Sequence, residues 1–235
     1  MRSLLRFIAT RIGISTYERL MAHSVLLYRF DRLKSIPTFE KREALWDECL
    51  TRKFKETDRV TYVEFGVHTG YSITYFAQKN LNRDSVFIGL DSFEGLPEDW
   101  GVLPKGTFDV EGKMPQTTDS RITFIKGWFQ NTWDELAAKL SKAERLIVHY
   151  DADLYSSTLF ALSKMDSLNR PYIAIFDEFA GHEARALHNY LQAFNASVSF
   201  LGQIVINEYP IHVMCEIVPS GARVASPRLS SVAVD

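Results

Sequence analysis

The chain has 235 residues, 46% of them hydrophobic, which is enough apolar material to bury a sizeable core within one large domain rather than two small ones. A formal net charge of -2 supplies no global field to attract nucleic acid or an anionic membrane, so no nucleic-acid partner is expected. The two cysteines, Cys49 and Cys215, match no zinc spacing and form no disulfide framework, which points to a reducing, cytoplasmic compartment.

Residues 1–20 mix Leu4, Leu5, Phe7, Ile8, Ile12 and Ile14 with Arg2, Arg6, Arg11 and Arg19. A signal peptide needs an uninterrupted apolar stretch, and a spanning helix needs about 20 apolar residues, so no transmembrane segment is expected. A short amphipathic helix fits instead, covering the domain, a partner subunit or a membrane surface, with packing favoured over membrane contact. Residues 1–58 read as a helical extension, with Leu45, Trp46, Cys49, Leu50 and Phe54 at helical spacing over 39–55. From residue 60 the texture changes. Apolar runs at 60–65, 86–90, 122–125, 146–150 and 172–176 read as strands, alternating with helical patterns at 71–79, 133–140, 155–165 and 182–194. Two consecutive runs, 198–206 and 212–218, read as a terminal hairpin. The main domain therefore spans 59–218, and 219–235, rich in Ser, Pro and Ala, reads as a flexible tail.

Strands that are apolar on both faces and separated by helices imply a parallel sheet covered on both sides, with the hairpin adding an antiparallel edge. The expected fold class is α/β: a Rossmann-like, seven-stranded, mostly parallel sheet with helices on both faces, plus the N-terminal helices. Ligands of such sheets bind beyond the carboxyl ends of the strands. The first run ends Glu64-Phe65-Gly66-Val67-His68-Thr69-Gly70. His68 stands where a dinucleotide fingerprint needs its middle glycine, which weighs against NAD or FAD. Glu64 suits an ammonium or sulfonium group better than phosphates. Asp91, ending the second run, stands where such sheets place the acid that accepts from a ribose diol, although a turn aspartate reads the same way. The fourth and fifth runs end in Asp151-Ala152-Asp153 and Asp177-Glu178. Carboxylates this close repel unless a cation sits among them, and oxygen donors select a hard ion: Mg²⁺ first, Ca²⁺ or Mn²⁺ next. Asp153 reads equally as a helix cap.

Five segments carry a more specific likeness. They are Val63-Glu64-Phe65-Gly66-Val67, Asp91-Ser92-Phe93-Glu94-Gly95-Leu96-Pro97, Lys126-Gly127-Trp128-Phe129-Gln130-Asn131-Thr132, His149-Tyr150-Asp151-Ala152-Asp153-Leu154-Tyr155-Ser156-Ser157-Thr158 and Phe176-Asp177-Glu178-Phe179. Across about residues 60–195 the chain resembles the macrocin O-methyltransferase-like (TylF-type) family of class I S-adenosylmethionine (SAM) dependent, metal-dependent methyltransferases. The resemblance implies that Glu64 and Gly66 line the methionine end of SAM, with Val67, His68, Gly70 and Ser72 completing that turn. By the same likeness Asp91 holds the ribose, Ser92 and Phe93 lie beside the nucleoside, and Gly127, Trp128 and Phe129 approach the adenine. Asp151, Asp177 and Glu178 are the implied Mg²⁺ ligands, Asp151 also touching the cofactor. Many family members carry two aspartates where this chain has Asp177-Glu178, and often a longer connection before the helix that here starts at His182.

The implied activity is transfer of a methyl group to a hydroxyl of a small-molecule acceptor, glycosyl or diol-bearing. Antibiotic sugars, cell-surface polysaccharide sugars and other diols fit equally. His182 is the first candidate for general base, with Asp153 and His149 as alternatives, and Asp151 joins the catalytic group as a metal ligand. The irregular stretch 97–118 reads as a lid over the acceptor, Phe108 and Met114 supplying apolar contacts. The N-terminal helices are compatible with a homodimer. Two further readings stay open: a SAM-binding protein without turnover, and a metal-dependent hydrolase using the same carboxylates.

Overall fold

Short runs rich in β-branched and aromatic residues form the strands β1 (Thr61–Phe65), β2 (Val86–Asp91), β3 (Ile122–Lys126), β4 (Leu146–Tyr150), β5 (Tyr172–Phe176), β6 (Ser197–Ile206) and β7 (Tyr209–Val218). The structure, a computed structural model, describes residues 11, 13–140, 143 and 145–222. The strands pair in the order β3-β2-β1-β4-β5-β7-β6. The first five run parallel, and β7 runs antiparallel to both β5 and β6. Amphipathic segments form helices α1 (Ile14–Arg29), α2 (Arg42–Lys53), α3 (Tyr71–Lys79), α4 (Phe129–Leu140), α5 (Tyr155–Asp166) and α6 (Ala184–Phe194). The expected seven-stranded, mostly parallel α/β sheet with helices on both faces is the observed architecture.

Alternation along the strands splits the core in two. Val63, Phe65, Val148, Tyr150, Ala174 and Phe176 pack on one face against α1, α4, α5 and α6, meeting Val25, Leu136, Leu162 and Leu187. Tyr62, Phe87, Ile147, Ile173 and Ile175 pack on the other against Leu45 and Trp46 of α2 and Ile73 and Phe76 of α3. Each large side chain sealed this way contributes about 1.5–3 kcal/mol. On the second face the alternation also buries two polar residues, Glu64 and His149, both fully enclosed.

Several boundaries differ from the sequence expectation for local reasons. Helix α4 starts at Phe129 rather than at 133, its first ring edge-on to Phe65 at 5.2 Å. The helix expected over 182–194 is two elements. A π turn, Phe179–Glu183, carries non-helical Gly181 (φ -119, ψ -115), and α6 follows it. β7 starts at Tyr209 rather than at 212, because Asn207 and Glu208 both take positive φ (50° and 70°) in a two-residue hairpin turn that lets Ile206 pair with Tyr209. The first 58 residues are not helical throughout. A 3-10 turn, Asp31–Ser35, leads to an extended stretch whose Phe39 N–H donates to the Gln203 carbonyl of β6 and whose Pro37 carbonyl accepts from the Gln203 N–H. Of the amphipathic helix expected over 1–20 and the tail over 219–235, residues 1–10, 12 and 223–235 lie outside the described residues. No described helix is long and apolar enough to cross a membrane.

One glycine fixes how closely the strand ends approach. Gly66 has φ +92, and a Cβ there would sit 1.8 Å from the Asp151 carbonyl oxygen. Gly66→Ala is expected to destabilise the protein by more than about 2 kcal/mol, combining left-handed strain with a backbone clash. Urea denaturation measures this, and an unchanged midpoint would show that the β1 and β4 ends are free to separate.

Candidate functional site

The strand order reverses between β1 and β4, the switch point at which open α/β sheets form their ligand crevice. A cavity of about 670 Å³ opens there. Gly66, Val67 and His68 line it from the turn after β1, Asp91 and Ser92 from β2, and Trp128 and Phe129 from the end of β3. Asp151 and Asp153 enter from β4, Asp177 and Glu178 from β5, and Glu98, Trp100 and Phe108 from the 97–118 connection. Ser156, at the start of α5, donates to Glu98 Oε1 at 2.6 Å and ties that connection down across the cavity. Arg42, the first residue of α2, supplies the one permanent cation among the described lining residues.

Asp91 organises the first turn. Its Oδ2 accepts the amides of Val67 and His68 (both 2.8 Å), and its Oδ1 accepts the Phe93 amide (2.7 Å). The turn-aspartate role is therefore real, and a carboxylate with three N–H donors keeps spare lone pairs toward the cavity. His68 and Phe93 hold positive φ (50° and 58°) in the two turns that Asp91 joins.

The remaining carboxylates crowd one edge. Burial pushes the Asp151 carboxyl well up, helped by the negative charges of Asp177 and Glu64. Asp153 rises to about 7, through burial first and then Glu178, Asp177 and Asp91. Glu178 is raised in the same way, by burial and then Asp177. Asp177 goes the opposite way: burial works against it, but the imidazoles of His149 and His212 outweigh burial and hold it below the usual carboxylate range. His212 Nδ1 stands 2.9 Å from Asp177 Oδ1, His149 Nε2 stands 3.7 Å from the same atom, and Arg42 Nη1 lies 3.9 Å from Oδ2. Burial pushes His149 itself below the ordinary histidine value, with Asp177 pulling the other way. His149, Asp151 and Asp177 offer donor atoms that all lie within 4.8 Å of one another, a grouping compatible with a divalent cation.

The sequence-read residues divide into two sets. Gly66, Val67, His68, Asp91, Ser92, Trp128, Phe129, Asp151, Asp153, Asp177 and Glu178 share the cavity, as does Phe108 of the expected lid. Glu64, Gly70, Ser72, Phe93, Gly127 and Met114 are not among its lining residues. Glu64 and Phe93 are enclosed in the core, Phe93 edge-on to Phe124 at 6.3 Å, and Gly70 packs against Pro115. His182 is also absent from the lining; it sits in the π turn, where its Nδ1 accepts the Tyr155 amide at 3.4 Å. Arg42, His212 and Glu183 went unread. Arg42 carried no signal inside a helical extension. His212 could have been found, because an antiparallel last strand must bring its starting end to the carboxyl end of β5, as the Phe176–Val213 pairing does. Glu183 is fully buried and accepts the Glu178 amide on Oε2 at 3.0 Å.

No family model and no curated relative matches the chain. Solved structures do. The chain is similar to the calicheamicin methyltransferase CalS11, at 17% identity and a TM-score of 0.52, over 89% of this chain and 94% of that one. It is also similar to an O-methyltransferase from Bacillus cereus solved in complex with SAH, at 13% identity and a TM-score of 0.51, over 84% of this chain and 90% of that one. What they share is the fold.

Burial raises the Glu64 carboxyl to about 8, with the Ser72 hydroxyl and Ile73 amide pulling the other way. The folded protein therefore holds a proton that the unfolded chain releases near pH 4, so this group's contribution to stability is complete below that pH and is lost as pH rises through about 8. Glu64→Gln, neutral at every pH, removes that slope. Relative to the parent, the metal-free variant is expected to gain on the order of a few kcal/mol between pH 5 and pH 8.5 in urea titrations. Parallel curves for the two proteins would mean that Glu64 is ionised in the fold.

Proposed function

We propose that the chain is a SAM-dependent O-methyltransferase that uses a divalent cation, Mg²⁺ on the sequence reading, and acts on a hydroxyl of a sugar or other polyhydroxylated small molecule. The observation that carries this is the convergence, in one cavity, of the β1 turn, Asp91 and the Asp151–Asp153–Asp177 carboxylates. A cavity of this size suits a nucleoside-bearing cofactor together with a small acceptor. Asp91 offers its outward lone pairs to a ribose diol, and the Trp128 and Phe129 side chains give apolar walls for a base. The likeness in fold to the calicheamicin and Bacillus cereus methyltransferases supports the same assignment.

SAM supplies a methyl group on a sulfonium, open to in-line displacement by an oxygen nucleophile. A divalent cation, if bound at the carboxylates, would supply Lewis-acid activation of an acceptor hydroxyl. Asp151 and Asp177 would hold that ion. Asp153, raised to about 7 and lining the cavity, takes the hydroxyl proton as the new carbon–oxygen bond forms, in preference to His182, which does not line it. Arg42 and Trp100 bound the acceptor side, and the 97–118 connection excludes water over it.

Asp153→Asn is expected to keep S-adenosylhomocysteine binding and to lower turnover of a diol-bearing sugar roughly 10²- to 10⁴-fold. Calorimetry with S-adenosylhomocysteine, with and without EDTA, checks the first part. Failure of the folded parent protein to bind it under either condition would rule out methyl transfer and favour the hydrolase reading. Binding with no turnover on any diol would favour a SAM-binding protein without activity.

A further inference from the structure

The mechanism above gives His149 no task, yet its ring is fully buried beside the carboxylates. Trp46 and Phe76 stand edge-on to it at 5.6 and 6.3 Å between ring centres. Its two nitrogens have different surroundings. Nδ1 lies 2.8 Å from the Tyr62 hydroxyl oxygen and 3.7 Å from Glu64 Oε1. Nε2 points the other way, 3.7 Å from Asp177 Oδ1, and has no hydrogen-bond partner. Leaving such an atom unpaired in the interior is costly, because it has given up its hydrogen bonds to water. Asp177 Oδ1 is also buried without a well-formed hydrogen bond, although His212 Nδ1 stands beside it. Three orphaned atoms, His149 Nε2, His212 Nδ1 and Asp177 Oδ1, thus gather at Asp177, and of the two nitrogens it is that of His149 that groups with Asp151 as well.

We propose that His149 Nε2, Asp151 and Asp177 form a mixed nitrogen–oxygen site for a first-row transition ion such as Mn²⁺, Co²⁺ or Zn²⁺, in preference to Mg²⁺. The donor atoms lie within 4.8 Å of one another, close to the spacing that bonds of about 2.0–2.2 Å to a common ion would set. Donor type decides the ion: Mg²⁺ takes oxygen, whereas an imidazole in the set favours later first-row ions. The surroundings of Nδ1 complete the arrangement. A metal-bound histidine hands its other N–H to an outer partner, and Tyr62 with Glu64 stands there. Glu178, a ligand on the sequence reading, is outside this trio. Asp151 and Asp177 also line the cavity, so an ion held by them would adjoin the ligand space. As a catalytic centre the site rests on the methyl-transfer assignment; as a binding site it stands on geometry alone.

The test uses the full chain, stripped with chelator and titrated with Mn²⁺, Co²⁺, Zn²⁺ and Mg²⁺, with S-adenosylhomocysteine binding measured in parallel. Mn²⁺ is expected to bind at least about tenfold more tightly than Mg²⁺, and the Mn²⁺ protein to show the nitrogen hyperfine coupling of a bound imidazole in pulsed electron paramagnetic resonance. That coupling should vanish in His149→Gln, with circular dichroism confirming the fold. Tyr62→Phe keeps the packed ring and should weaken Mn²⁺ roughly 10- to 100-fold, so the proposal stays testable even where His149→Gln does not fold. Equal or tighter Mg²⁺ binding without nitrogen coupling overturns the proposal. So does coupling that survives His149→Gln and disappears in His212→Asn. S-adenosylhomocysteine binding beside an oxygen-only site would leave methyl transfer standing without this inference, and a nitrogen-ligated site without that binding would do the reverse.

Discussion

Six carboxyl groups, from Glu64, Asp151, Asp153, Asp177, Glu178 and Glu183, are confined to one sheltered edge of the sheet, where water screens them poorly. The protein meets that repulsion in two ways. Five of the groups are pushed toward the protonated form, burial being the largest cause in each. Asp177 stays ionised because the imidazoles of His149 and His212, from two different strands, outweigh its burial. Asp91, a short distance along the same edge, is met by three backbone amides instead.

That crowding follows from topology. Parallel strands end at the same edge, so residues that follow β1, β2, β4 and β5 must gather there whatever their spacing in sequence. The antiparallel β7 contributes its starting end to the same place, which is how an imidazole from the last strand reaches a carboxylate from the fifth. The glycine at the first turn permits the approach, since the Asp151 carbonyl occupies the space that a side chain would need.

Sequence periodicity located β4, β5 and α3 at their observed ends, because each is a short apolar run or an amphipathic stretch bounded by a turn. It failed at the π turn, where the local sequence Phe179-Ala180-Gly181-His182-Glu183 gives no signal that Gly181 will leave helical geometry. His182 stood among the candidate bases because it closely follows the acidic pair in sequence, and in the structure it sits in that turn, outside the cavity lining. For the site, acids at strand ends were readable because topology alone fixes where they go. The burial of Glu64 was not, since it depends on which face of the sheet α2 and α3 cover. Arg42 was hidden for a related reason: its contribution depends on tertiary docking of a helix that precedes the whole sheet.

That docking has a further consequence. The stretch before α2 is bonded to β6 through Gln203, whose side-chain amide also donates to the Leu33 carbonyl at 2.7 Å, and α2 then delivers Arg42 to the cavity wall and Trp46 to the core. One wall of the cavity is therefore built by a segment that β6, near the other end of the chain, holds in place. Local opening of this clasp removes part of the cavity, and whatever occupies the cavity against Arg42 stabilises the clasp in return. Ligand occupancy and the docking of the stretch before α2 are thereby thermodynamically linked.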